Sequence, residues 1–451
     1  MENLKTMRKQ FKSLSSILIS TFIFFMLFFV RSFMGIYIFG YRIGEYLIMF
    51  SLLTFLLVFI FFKKISLKEY FDIKLLYVQF TIFISFLLSS YISKSSFSDT
   101  YTFKTSSYIW TTSLIYVGFY LFNNFNIENL LLKLLRPSLL IVYYIIVINY
   151  ISRLEYFFLD ISDKYELHKG SDLAILYLIT ILLNNDKNNN TNFSNYYFFL
   201  ISSIFLPLIL YSSRAAFFAV FLFFLFQVWK IRENIIFHKV KYLTLSVVSL
   251  VLFTQSVFLV QNSGVIKIYE AKDQIENIVK YRYETLSEKQ LEEYGLFWVS
   301  EGRLYSSDGN LNWRLEIWQD VFFDTASSSH QVYNLDSNHN LFFGYGYKSI
   351  IPAMNDAYRM GIDGLNENIH NYFLNIYARG GLMHFLMFLY FYYLLIKNYK
   401  NKYYSILAFI LPIMFISFFD SSMENAHFPI LFYIFIGRYF ALNKNSESSI
   451  N

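Results

Sequence analysis

Long apolar runs separated by short polar segments dominate the chain, and many runs reach the roughly 20 residues needed to cross about 30 Å of hydrocarbon. The pattern predicts early spans at about 14–30, to about 62, at 75–92, to about 122 and at 137–152. It continues with spans at about 173–184, 196–211, 214–230 and 243–260, then 370–397, 403–419 and 428–442. That is about twelve transmembrane helices, hence an all-α polytopic membrane protein. Arg31 to Gly44 reads as a short outer turn or an interfacial piece. The runs are unbroken and do not alternate, which excludes an outer-membrane barrel. One stretch breaks the rhythm: Gln261 to about Asn368 has no spanning run and holds Trp298, Trp313 and Trp318. The chain thus divides into an N-terminal bundle of about nine helices at 1–260, a large loop at 261–368, and about three helices at 369–451.

Charge gives these spans a direction. Lys5, Arg8, Lys9 and Lys12 precede the first span, and further basic clusters fall at Lys63-Lys64, Lys230 to Lys241 and Lys397 to Lys402. Basic loops stay in the cytoplasm, which puts both chain ends inside and the large loop outside. The net charge of +6 is accounted for by these clusters and is no nucleic-acid signal. With 56% hydrophobic and 16% charged residues, the chain lacks the charge that a soluble protein of this size carries. Zero cysteines exclude disulfides, thiolate catalysis and Cys-ligated metal. The basic start and first run carry no small-residue cleavage site, so they read as a membrane helix. No Asp-x-Asp pair, P-loop or Gly-x-Ser-x-Gly elbow occurs, and no cofactor or metal is expected. The lack of an internal repeat argues against the paired halves of a polysaccharide transporter or flippase.

Four places carry candidate chemistry. Arg214 interrupts Tyr211-Ser212-Ser213-Arg214-Ala215-Ala216 between two spans. It reads either as a snorkelling arginine in a tight turn or as a guanidinium held to clamp phosphate. Arg314 sits in Trp313-Arg314-Leu315-Glu316-Ile317-Trp318, where an amphipathic helix lying on the membrane surface fits. Its plain alternative is a loop arginine paired with a nearby acid, although Glu316 and Asp320 have poor helical spacing for that. Phe342-Phe343-Gly344-Tyr345-Gly346-Tyr347 reads as a turn whose glycines let backbone approach a ligand closely. His370, followed by Asn371, lies where the loop meets a span. It is either a helix-capping histidine or a base able to take a proton from a sugar hydroxyl. Glu367 and Asp363 precede it and could orient it or raise its pKa. Charge and hydropathy put Arg214, Arg314 and His370 on one side of the membrane.

These segments, in this order, resemble the O-antigen ligase and O-antigen polymerase family of bacterial envelope glycosyltransferases. Ser212-Ser213-Arg214-Ala215-Ala216 is similar to the family's Ser-Arg-small turn. Arg314 to Trp318 with Leu341 to Gly346 is similar to its Arg-x-x-x-Trp and Phe-Gly-x-Gly pair. His370-Asn371-Tyr372-Phe373-Leu374, followed by Gly380-Gly381, is similar to its His-Asn-x-x-Leu stretch and later glycines. The resemblance implies a bacterial inner-membrane enzyme with its site facing the periplasm. It implies metal-independent transfer of a glycan from undecaprenyl diphosphate, with lipid A core (a ligase) or a lipid-linked repeat (a polymerase) as acceptor. It implies His370 as the base and Arg214 and Arg314 as diphosphate ligands; Asn371, Trp318, Gly344, Gly346 and Glu367 are read as supporting residues. Arg379 stands where family members often carry an acid.

Overall fold

The computed structural model describes residues 2–61, 71–96, 99–147, 168–188, 192–263, 296–300, 302–326, 339–355, 359, 367–397 and 403–447. The N-terminal half forms α1 (Glu2–Phe28), α2 (Val30–Gly35), a two-residue hairpin of β1 (Tyr37–Ile38) and β2 (Tyr41–Arg42), and α3 (Ile43–Phe61). There follow α4 (Ile73–Ile92), α5 (Thr100–Thr105), α6 (Ser107–Trp110), α7 (Leu114–Asn124) and α8 (Ile127–Val147). Then come α9 (Gly170–Asn188), α10 (Asn192–Ser212), α11 (Arg214–Lys230), α12 (Arg232–Phe237) and α13 (Lys239–Gln261). The loop region supplies the antiparallel pair β3 (Phe297–Ser300) and β4 (Arg303–Ser306), α14 (Gly309–Ala326) and α15 (Asn340–Phe343). The last helices are α16 (Tyr372–Lys397), α17 (Tyr403–Phe419) and α18 (His427–Glu447).

Among the described residues, six helices are long and apolar enough to cross a membrane, and three shorter apolar ones accompany them at Ile43–Val58, Ile406–Phe419 and His427–Leu442. The chain is therefore an all-α multi-pass membrane protein. Two of the early spans differ from the pattern reading. The fourth is not one run: α5, α6, a 3₁₀ turn at Thr111–Ser113 and α7 share it. Its serines and threonines bend the backbone by bonding back onto it, as Ser106 does to the Thr102 carbonyl (2.7 Å) and Thr112 to that of Ile109 (2.6 Å). The fifth begins ten residues before Pro137, which lies inside α8. Most of the segment between the spans predicted at 137–152 and 173–184 lies outside the described residues.

Two helices form the centre. Residues 173–179 and 181–183 of α9 are all buried, and α18 is buried on every side from Phe428 to Ala441. A helix apolar all round belongs inside a bundle. On α18, Gly437 packs against α7, where Gly118 sits opposite; a Cβ on Gly118 would lie 2.1 Å from the Ile434 carbonyl oxygen. Such glycines let membrane helices approach at backbone contact.

Candidate active site

The site is assembled at the start of α14. Asp308 caps that helix: its Oδ1 accepts from the Leu311 N–H at 2.9 Å. Its other oxygen accepts from Arg214 Nη1 at 2.7 Å. Arg214 opens α11 behind Ser213, whose hydroxyl oxygen accepts from the Ala216 N–H at 3.3 Å. The Arg214 side chain is 88% exposed, so it reaches water as the snorkelling reading requires and still binds the cap of α14. Burial opposes ionisation of Asp308, but the Leu311 N–H, Arg214 and Arg314 together hold its carboxyl below the usual range.

Arg314 is largely enclosed. Its Nη1 donates to the Phe419 carbonyl at 2.6 Å, while its buried Nε has no hydrogen bond among the described residues. The acids beside it in sequence are engaged elsewhere. Asp320 pairs with Arg359 and Arg303, both at 2.6 Å, and Glu316 accepts from Arg359 at 2.9 Å. The expectation that α14 lies on the membrane surface is corrected: Ile317 and Trp318 are buried in a small second core with Ile351, Met354, Ile369 and Ala378. That face packs on protein, because the segment leading into α16 lies across it.

His370 is held from both sides. The Trp318 indole N–H donates to the Ile369 carbonyl at 2.8 Å, and the Trp313 ring meets the imidazole edge-to-face at 5.2 Å. The helix cap is Asn371, not His370: its Oδ1 accepts from the Leu374 N–H at 3.0 Å. The buried Nδ2 of Asn371 has no hydrogen bond among the described residues. His370 itself has φ 53, in the left-handed region that non-glycine residues rarely enter. Strain of that kind persists where surrounding contacts over-determine it, and it clusters at working sites. Burial and the Arg314 charge push His370 below its ordinary pKa, opposed by Asp420. The imidazole is therefore neutral at pH 7, as a base requires, and its shift is downward rather than the upward one that Glu367 and Asp363 could give. Burial also penalises the Asp420 charge, but Lys169, Arg31 and His370 hold the carboxyl below the usual range. Glu367 lies beside Tyr101, and Asp363 falls outside the described residues.

The glycine turn has a structural task. Gly381 has φ 72 and breaks α16, freeing the carbonyls of Ala378 and Arg379. The Tyr345 and Gly346 N–H groups donate to them at 2.7 and 3.0 Å. A Cβ on Gly344 would lie 2.4 Å from the Ala378 oxygen, which is why this turn needs glycine. Arg379 is buried and donates to the Gly346 and Ser349 carbonyls, so at this position the chain clamps the turn with a cation. Gly344 and Gly346 thus seat the turn in the helix break.

His370 also forms part of the wall of a cavity of about 320 Å³. Neither Arg214 nor Arg314 lines it. The cavity brings in residues to which the sequence reading gave no role, Arg31, Lys104, Lys169, Glu424 and His427, together with Arg379, noted there as standing in place of an acid. Behind it, buried Asp172 accepts from His427 Nε2 at 2.8 Å and lies 3.4 Å from Arg31 Nε. One signal was available. Arg31 is the only charge between Lys12 and Arg42, an interruption of the same kind as Arg214. Asp172, Asp420 and His427 are joined to the site only by tertiary contacts.

Fold and site together define a polytopic α-helical membrane protein with a polar, cation-rich pocket beside His370. Residues 197–389, a stretch that contains all three motif segments, match the family described as O-antigen ligase. The match supports an enzyme of O-antigen ligase/polymerase type. No curated protein and no solved structure matches the chain.

Proposed function

We propose that this protein transfers a glycan from undecaprenyl diphosphate to an acceptor hydroxyl at the periplasmic face of the inner membrane. His370 takes the proton of the acceptor hydroxyl, and that oxygen attacks the anomeric carbon. The bond from that carbon to the phosphate oxygen breaks, and undecaprenyl diphosphate leaves with the electron pair. Attack opposite the leaving group inverts the anomeric centre. Arg214 and Arg314 offset the charge growing on the diphosphate, and Asp420 stabilises the imidazolium that forms. The complete topology behind this reading is about twelve spans with the large loop outside.

The supporting observation is the meeting of three separate segments at His370: a partly buried imidazole kept neutral, an arginine with an unmet buried N–H, and a carboxylate counter-charge. We favour ligase-type transfer to lipid A core; a repeat-unit polymerase would use the same donor chemistry. The test is a deletion strain complemented with His370→Ala, read by lipopolysaccharide and carrier-lipid profiles. The expected outcome is a persistent block with the variant present in the membrane. Long chains on the carrier indicate a ligase, and single repeats indicate a polymerase. A normal profile removes the mechanism.

A further inference from the structure

The structure points to a second anion site, distinct from the Arg214 and Arg314 pair. We propose that the cavity beside His370 receives the acceptor, and that Arg31 binds a phosphate group carried by that acceptor. This rests on the glycan-transfer reading, because it assigns a role to the opposite side of the same base.

The charges of the cavity support an anion. Arg31, Arg42, Lys104, Lys169 and Arg379 line it. Behind the lining, Asp172 and Asp420 offset part of the charge of Arg31 and Lys169. Three carboxyls line the cavity itself, but each has another relation. Glu45 accepts from the Arg42 backbone N–H at 2.9 Å, and Glu367 lies beside Tyr101. Burial pushes Glu424 up to about 8, so it is largely uncharged at neutral pH. Several of the cations are already engaged. Arg379 serves backbone carbonyls, and Arg42 Nε donates to the Tyr37 hydroxyl at 2.9 Å.

Arg31 differs. Its side chain is 11% exposed, yet Nε and Nη2 make no hydrogen bond among the described residues. Asp172 stands 3.4 Å from Nε and is fixed by His427, so the guanidinium is positioned without being saturated. A buried guanidinium with unmet donors is costly, and a phosphate supplies the acceptors that would satisfy it. The backbone adds to this. Among the described residues, five non-glycine positions have positive φ, and three adjoin this cavity: Val30 before Arg31, His168 before Lys169, and His370 itself. Val30 is β-branched, so its φ of 41 is a strained conformation at the point where α1 gives way to α2.

The division of the chain fits the same assignment. Arg214, Arg314 and His370 lie inside the stretch shared with the family, while Arg31, Lys104, Lys169 and Glu424 lie outside it. Donor chemistry common to ligases and polymerases falls in the first set. Acceptor selection, where the two differ, falls in the second.

The test uses the full-length protein in lipid nanodiscs with carrier-linked glycan as donor. Three acceptors are compared: core lipopolysaccharide, the same material with its phosphates removed, and the carrier-linked single repeat. Arg31→Gln is expected to raise the acceptor KM by about ten- to a hundredfold, the loss of one charged hydrogen bond, with the donor KM nearly unchanged. Arg31→Lys recovers part of that loss. Removing phosphates should weaken core lipopolysaccharide for the wild type but not further for Arg31→Gln. If the repeat alone shows the effect, the phosphate is the carrier's own. An unchanged acceptor KM, or a raised donor KM, overturns the proposal. If Arg31→Gln does not fold, Lys104→Gln and the dephosphorylated acceptor on wild type carry the same comparison. A readout independent of turnover separates this from failure of the transfer reading. Inorganic phosphate should raise the Tm of His370→Ala and of Arg214→Gln/Arg314→Gln, but not that of Arg31→Gln. Transfer retained by His370→Ala refutes the transfer reading, whereas equal phosphate stabilisation of Arg31→Gln refutes the cavity assignment.

Discussion

At the scale of single residues, the central quantity is the protonation of His370. A base must be neutral before it accepts a proton, and this one is kept neutral by burial and by Arg314. The sign follows directly. Activity should be flat around pH 7 and fall only as pH drops through a value below the ordinary histidine range. Two variants should move that acid limb in opposite directions. Arg314→Gln removes a charge that depresses His370, so the limb moves up toward pH 6.5. Asp420→Asn removes a charge that raises it, so the limb moves down while kcat falls for want of a counter-charge. Measuring kcat/KM against pH for the three proteins checks this; limbs that coincide would show that another group is titrating. His370 was legible because it stood alone at a boundary between loop and span. Asp420 was not, because nothing in its own neighbourhood distinguishes it from any acid in a short outer turn.

At the scale of elements, the helix break is the feature that sequence shows least directly. Hydropathy reads α16 as one continuous span, since a glycine pair barely changes its average. The break instead follows from what docks there: a Cβ on Gly381 would lie 2.2 Å from the Phe342 carbonyl carbon. Gly381→Ala therefore combines an unfavourable φ with a backbone clash. Gly302 isolates the first effect, having φ 75 with nothing within 4 Å of its Cβ position. Gly302→Ala should cost about 1–2 kcal/mol from conformation alone. Gly381→Ala should cost clearly more and also lower activity, since the turn it displaces is clamped beside the cavity by Arg379. Thermal unfolding of the two variants in one detergent gives the order, and equal shifts would mean that the turn yields without cost. The same limitation hid the division of the fourth span, whose serines and threonines are apolar enough in company to pass as one helix.

At the scale of the whole molecule, α9 and α18 are joined at two levels. Near their starts Asp172 accepts from His427, and Asp186, near the end of α9, accepts from Arg438, midway along α18, at 2.9 Å. Going along α9 from the first bond to the second also goes forward along α18, so the two central helices run parallel. The long apolar runs of these helices were plain in the sequence, but which runs lie innermost was not, because lipid and protein interior select similar side chains. What marks the centre is the paired charge. Arg438 is almost fully buried and also bonds Glu128 of α8, drawing a third helix to the same point. Removing one partner of a buried ion pair leaves the other uncompensated, at a cost of about 3–5 kcal/mol. Arg438→Gln should therefore lower Tm strongly. Asp186→Asn should cost more than Glu128→Gln, because the Asp186 side chain is 12% exposed and that of Glu128 27%. Both should leave the acceptor KM unchanged, since neither residue lines the cavity. Asp172→Asn tests the other end of the same helix pair and separates the two roles. It should destabilise the bundle and, by releasing Arg31, raise the acceptor KM as well. Thermal unfolding and acceptor titration on the four variants decide between the two. If the KM shift follows Tm across the whole set, Arg31 is acting through the fold; if Asp172→Asn alone shows it, Arg31 is acting in the cavity.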